Sequence, residues 1–296
     1  MLMDLRRLRL FLAVVDHGGM TRAAEAELVS QPSVSQAIRE LETELGVELF
    51  VRVGRRVVLT AAGEALVGPA RQALRDVDTA RAAVGAVTGL TAGRLDLGAL
   101  PTLAVDPLAP LVGAFRVAHP GVRIVLADPG STEALAAMVA DGETEIGLTV
   151  EPPADPRLTS QAIGEQELLA VLPPGAHPGG RPLAVDAFAR RPLVTAPPGT
   201  PTRSQLEDAF AAAGMTPDIA VVAAQREAIL PLVLAGAGAT LFPRPLAEQA
   251  ARLGADIAPL RPRLSRPVHL LRRTGPLSPA AAAFVAIATG PPDPAR

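Results

Sequence analysis

The apolar positions fall into three successive rhythms. The first, to about Thr60, is helical. Leu5, Leu8, Leu12 and Val15 are spaced 3, 4 and 3, one face of a first helix that His17-Gly18-Gly19 stops. A short second helix is predicted from Thr21 to Leu28, then a tight connection at Val29-Ser30. The third helix carries Val34, Ile38, Leu41 and Leu45 at spacings of 4, 3 and 4. Ser30 is placed to cap it, Pro32 suits a first turn where a missing N–H costs nothing, and Gly46 closes it. ELFVRVGRRVVLT (48–60) reads as two short strands around a turn at Gly54.

The second rhythm is a heptad seam, Leu66, Ala70, Ala73, Val77, Ala80, Val84 and Val87, with Arg and Asp off it. It fits either an ordinary surface helix or a dimerisation helix. Pro69 lacks a donor and crowds the carbonyl of residue 65, which predicts a kink; TGLTAG (88–93) reads as a linker. The third rhythm alternates strands, at 94–100, 122–128, 145–150, 192–196, 218–224 and 239–243, with helices near 105–117, 132–140, after Thr202 and over 230–234. That order predicts parallel sheets with right-handed crossovers, in two α/β lobes with a ligand between them at the strand carboxyl ends. The last residues, GPPDPAR, are expected to fray.

Composition removes several chemistries. With 49% apolar and 20% charged residues, 296 residues build about two folded domains. No Cys is present, which excludes a disulfide scaffold, a thiolate metal site and a Cys nucleophile. All 28 basic residues are Arg, so Schiff-base chemistry, pyridoxal phosphate and the phosphate-loop lysine are excluded. The four His are dispersed outside any HExxH, and no GxSxG elbow occurs. GAG (236–238) follows a helix and reads as a turn. Neither an enzyme nor a cofactor is expected. No apolar run reaches the ~18 residues that span a bilayer. The opening MLMDLRRLRLFLAVVDHGG imitates an export signal, but Asp16 ends its apolar stretch and no cleavage motif follows, so the expected location is cytoplasmic.

Two helices joined by a short turn, the second beginning in small polar residues, predict a helix-turn-helix. Pro32, Ser35, Gln36 and Arg39 share the side of the third helix opposite its apolar stripe. Short hydroxyls and amides there can reach base edges, and the helix N-terminus offers N–H groups to a phosphate. Glu40, Glu42 and Glu44 lie at the far end; Arg52, Arg55 and Arg56 on the hairpin can neutralise phosphates or enter a minor groove. Residues 1–60 hold eight Arg (6, 7, 9, 22, 39, 52, 55, 56) and eight acids (4, 16, 25, 27, 40, 42, 44, 48), a net of zero. Binding to DNA therefore rests on placement of charge, and a helical domain that binds a protein stays open beside it.

LRLFLAVVDHGGMTRAAE (8–25), SQPSVSQAIRELETELGVELF (30–50), Arg52 and RRVVLTAAGEAL (55–66) together make the sequence resemble the LysR-type transcriptional regulators, over essentially the whole chain. The resemblance implies a winged helix-turn-helix at 1–60, a dimerisation helix and hinge at 61–92, and a two-lobed domain similar to periplasmic binding proteins at 93–296. Its lobe I would cover about 93–163 and 268–296, and lobe II about 164–267. Gln31, Pro32, Ser35, Gln36 and Arg55 match positions that face DNA in the family, with Arg22, Ser33, Arg39, Arg52 and Arg56 as secondary candidates. Glu27 stands where the family has Leu, and Met20 where it has Phe.

By the same resemblance Thr102 supplies an effector hydroxyl at the end of the first strand. Ser131 and Thr132 open a helix and read either as a simple cap or as donors to an anion. Thr200, Thr202 and Arg203, in PPGTPTR (197–203), fall where the second lobe faces the cleft; Arg203 reads as a grip for a carboxylate or as a solvated loop charge. The expected protein is a cytoplasmic homodimer or homotetramer that binds a promoter inverted repeat in double-stranded DNA, answers to a small-molecule effector, contacts RNA polymerase and meets no membrane. The rival is a solute-binding protein without DNA regulation.

Overall fold

The structure is a computed structural model that describes residues 4–53, 56–86, 93–177, 179, 181–211 and 214–290. Asp4 accepts the Arg6 amide at 3.0 Å and starts α1 (Leu5–His17), which ends on Gly18 in the left-handed region at φ 67°. α2 (Met20–Ala26) leads to α3 (Gln31–Leu45), whose cap is Ser30 and whose terminator is Gly46. The second helix stops short of the expected Leu28, because the turn consumes its end. Leu28 takes φ 54° and stands 92% exposed, while Val29 packs into the core. Glu27 is thereby only half-buried, which removes the cost expected of an acid at an apolar position.

β1 (Phe50–Val53) and β2 (Arg56–Leu59) pair antiparallel as the wing, from Phe50 opposite Leu59 to Val53 opposite Arg56. Gly54 and Arg55, at the predicted turn, lie outside the described residues. Phe11, Val34, Ile38, Leu41 and Leu49 form the buried centre of this head.

α4 (Ala61–Ala86) runs through Pro69 as one helix of 26 residues, roughly 39 Å long. It begins against the wing, where a Cβ on Gly63 would fall on the Leu49 carbonyl oxygen. Val67 and Ala70 are buried in the head core, and Leu66 and Ala73 pack on it. The first half of the heptad seam is thus spent within the subunit. The Val84 side chain, Val87 and residues 88–92 of the linker lie outside the description.

Beyond the linker, β3 (Gly93–Ala99), β4 (Val122–Ala127) and β5 (Ile146–Thr149) are parallel. β6 (Leu158–Leu172) is followed by β7 (Leu183–Ala184), β8 (Leu193–Thr195), β9 (Ile219–Val222), β10 (Thr240–Pro243) and β11 (Asp256–Arg273). The main sheet runs β10-β6-β11-β5-β3-β4, with β8 parallel to β9 in a separate pair. The expected parallel pattern holds for β3–β5, for β8–β9 and for the short pairing of β7 with β11, whereas β5–β11, β11–β6 and β6–β10 are antiparallel. The reason is that β6 and β11, 15 and 18 residues long, carry the chain out to the second lobe and back. Both escaped the sequence pattern, because Pro259, Pro262 and Pro267 interrupt one; register shifts between Pro259 and Leu264, and between Val268 and His269, accommodate them. Lobe I closes over Leu97, Leu103, Phe115, Ile146, Leu270 and Phe284. Lobe II covers one face with Phe188, Leu193, Phe210 and Leu241 and the other with Val171, Val194 and Val233.

Candidate functional site

Two surfaces carry polar chemistry on rigid supports. The first is the front of α3. Its underside, Val34, Ile38 and Leu41, is buried, so Gln31, Pro32, Ser33, Gln36 and Arg39 are exposed and Ser35 is half-buried. Their hydrogen bonds are local: Gln31 Nε2 donates to Ser35 Oγ at 2.7 Å, Gln36 Nε2 to Glu40 Oε1 at 3.0 Å, and Arg39 Nε to the Ser35 carbonyl at 3.2 Å. Such exposed bonds exchange for others at little net cost. Arg22, Gln31 and Arg52 line one concavity of about 460 Å³ with Met20 and Val57, which joins α2, the α3 tip and the wing. Arg56 lies on β2 with its side chain undescribed.

Three of the acids that cancel the head's charge, those on α3, are occupied. Arg7 reaches Glu40 at 3.1 Å and Glu44 at 3.0 Å, and Glu42 Oε1 accepts the Leu49 and Phe50 amides at 2.8 and 3.2 Å. The net of zero therefore conceals a front where Arg22, Arg39 and Arg52 stand exposed, while Glu40 and Glu44, toward the far end of α3, are tied to Arg7.

The second surface is a cleft of about 570 Å³ between the lobes. Lobe I contributes Ser131, Thr132, Glu133, Val150 and Glu151; lobe II contributes Gly199, Ser204, Asp208 and Ala209; β6 and β11 add Leu168, Leu264, Ser265, Arg266 and Pro267. Ser131 Oγ caps helix Thr132–Ala140 by accepting the Ala134 amide at 3.1 Å. Thr102 lies behind the wall, where its Oγ1 accepts from Arg266 Nη2 at 2.7 Å.

The 197–203 loop meets the cleft at Gly199, while its Thr200 and Arg203 side chains are engaged within lobe II. Thr200 Oγ1 donates to the Pro197 carbonyl at 2.8 Å and accepts the Arg203 amide at 3.4 Å, so it caps helix Pro201–Ala211. Arg203 Nε is held by Glu207 Oε1 at 2.6 Å, and the Thr202 side chain is undescribed. The guanidinium that lines the cleft is Arg266, whose burial pulls its pKa down to about 10. The signal that could have found it is short: Leu264, Arg266 and Val268 alternate, but Pro262 and Pro267 break the run that would mark a strand. Among the described residues no helix is long and apolar enough to cross a membrane.

A model of the lysR-family bacterial regulatory helix-turn-helix matches residues 5–64, and one of the LysR substrate-binding domain matches 88–290. The RuBisCO operon transcriptional regulator of Allochromatium vinosum is 32% identical over 79% of this chain and 78% of its own length. The HTH-type transcriptional regulator cbl of Escherichia coli is 34% identical over 74% of this chain and 70% of its own. Among solved structures, a full-length OxyR variant from Pseudomonas aeruginosa superposes with a TM-score of 0.76 at 23% identity, over 97% of this chain and 94% of that one. Full-length CbnR complexed with its target DNA gives 0.64 at 24%, over 97% and 99%; both likenesses concern the fold. With an exposed helix front at one end, a two-lobed cleft at the other and both domain models matched in order, the chain belongs to the LysR family of DNA-binding, effector-responsive transcriptional regulators.

Proposed function

We propose that this regulator reads an imperfect inverted repeat through two copies of the α3 front, and that a small molecule seated between the lobes sets how those copies are spaced. Gln31, Pro32, Ser35 and Gln36 address the major groove, and Arg55 on the wing faces backbone phosphates or the minor groove. Arg22, Ser33, Arg39, Arg52 and Arg56 hold the flanking phosphates. Residues 1–60 form the head, 61–92 the helix and hinge that pair subunits, and 93–296 the effector region, with lobe I at about 93–163 and 268–296 and lobe II at about 164–267. Pairing as a dimer or tetramer gives the two-fold symmetry that an inverted repeat mirrors. A ligand that prefers one arrangement of the lobes shifts the population of head spacings by linkage, and the bound regulator meets RNA polymerase at the promoter. Its place of work is the cytoplasm.

The observation that supports this most is the exposed α3 front over a fully buried underside, with the neighbouring acids already engaged. The test is a gel-shift titration of the purified chain on the intergenic DNA beside its own gene, with a shuffled duplex as competitor. A protected inverted repeat is expected; equal affinity for specific and shuffled duplexes would remove the reading.

A further inference from the structure

Arg266 is a cation bonded only to neutral groups. Its Nε and Nη2 donate to Gln166 Oε1 at 2.9 and 2.5 Å, and Nη2 also donates to Thr102 Oγ1. No carboxylate pairs with it among the described residues, and both protons of Nη1 lack an acceptor among them. Gln166, 1% exposed, cannot turn away: its Nε2 donates to the carbonyls of Thr102, at 3.2 Å, and Asp106, so its oxygen is left for the guanidinium. The cation is thus pre-oriented on the floor of the cleft, where β6 and β11 cross. Holding a guanidinium there without a counter-charge is costly, and a bidentate anion relieves the cost.

The mouth has the opposite sign. Glu133, Glu151 and Asp208 line the same cleft and are exposed. Hydrogen bonds from its own backbone and from Ser131 hold the Glu133 carboxyl below its usual range, so it stays ionised. The walls between are Val150, Leu168 and Leu264, with no aromatic ring in the lining. A dianion would gain at the floor and lose at the mouth; an aromatic acid would find no ring to stack on.

We infer that the cleft takes a short aliphatic amino carboxylate, its carboxylate on Arg266 and its ammonium toward Glu151 and Asp208. This rests on the proposal that the cleft is the effector site, and it names the class of effector. The inward carboxylate would lie on β11 and the ammonium between lobe I and lobe II, so one molecule would engage both lobes.

The test is calorimetric titration of the full chain with 5-aminopentanoate, pentanoate, glutarate and 1,5-pentanediol, followed by the melting shift of each complex. The expected order places 5-aminopentanoate first, with Arg266→Met weakening it about tenfold or more and Arg266→Lys less, on the scale of a charge-assisted hydrogen bond. Thr102→Val, which only loosens the guanidinium, should fall between, and serves if Arg266→Met does not fold by circular dichroism. Glu151→Gln with Asp208→Asn should weaken 5-aminopentanoate and leave pentanoate unchanged. Glutarate or pentanoate binding as well as the amino acid, or binding indifferent to Arg266, overturns the inference. If 1,5-pentanediol alone binds, and Leu168→Arg blocks it, the cleft remains the effector site while the inference fails. If no probe binds, the inference fails, and a wider metabolite panel without any Leu168-dependent binder removes the effector site too.

Discussion

Arg71 on α4 is the residue through which the three parts of the subunit touch. It is 9% exposed, and its guanidinium places Nη2 at 2.5 Å from Asp16, at the end of α1, and Nη1 at 2.7 Å from Glu143, in the loop before β5. Arg75, one turn on, donates to the Gly142 carbonyl beside it. Replacing Arg71 with Met keeps the stem and removes both bonds. The carboxylates are 49% and 44% exposed, so water recovers them and the loss stays well below that of a buried pair. Exposed pairs contribute ~0.2–1 kcal/mol each, and bonds to a desolvated charged donor ~1.5–3. A total of about 1–3 kcal/mol follows, roughly a 5- to 150-fold shift toward subunits whose head has left lobe I. Hydrogen exchange reads it directly: amides at the end of α1 and in the 141–145 loop should lose protection together. Double-mutant cycles with Asp16→Asn and Glu143→Gln should each show coupling above ~0.5 kcal/mol. Additive effects in both cycles, or protection lost on one side only, would refute the idea of a shared tie.

The other expectations are narrower. Gln36→Ala should cost ~1–3 kcal/mol on the specific operator and little on random duplex, read by competition gel shift. Arg52→Ala should weaken all duplexes similarly and reduce the slope of log K against log salt by about one. Gly63→Ala, which sets a methyl against the Leu49 carbonyl, should destabilise the head by ~2 kcal/mol or more in urea melts. Burial raises the Glu145 carboxyl above its usual range. The folded state then keeps that proton where the unfolded state has lost it, so its contribution is fullest below the ordinary carboxylate value and falls as pH climbs through the raised one. Glu145→Gln should flatten that decline in urea midpoints as pH rises past the ordinary carboxylate value.

The head was legible because local rules and tertiary packing agree there. The Ser30 cap, Pro32, Gly46 and the apolar stripe each dictate the same helix. Six of the seven short strands of the effector region stood out as apolar runs between turn residues; β7, two residues long, did not. β6 and β11 did not, because a strand that serves two lobes changes neighbours along its length, and its apolar and polar stretches do not alternate as one unit. The cleft suffered for that reason. Ser131 and Thr132 were visible as the start of a helix, whereas Arg266 and Gln166, on the crossing strands, were hidden in segments not recognised as strands. Arg203 reads from sequence as a carboxylate grip or a loop charge, yet Glu207, one turn later, pairs with it, as a spacing of four on a helix favours. The heptad seam is periodic, but periodicity does not say which surface takes it, and Leu66, Ala70 and Ala73 go to the head.

The crossing strands also fix the order in which the chain can mature on the ribosome. The head and α4 need only the first 86 residues, and lobe II is complete once β11 has passed Leu264. Lobe I, first in sequence after the linker, must wait for Val268–Arg273 to slot beside β5 and for helix Pro279–Thr289 to cover its core. A message broken between codons 86 and 268 would therefore release a complete head and α4 joined to an unfinished sensor, a DNA reader deaf to its signal.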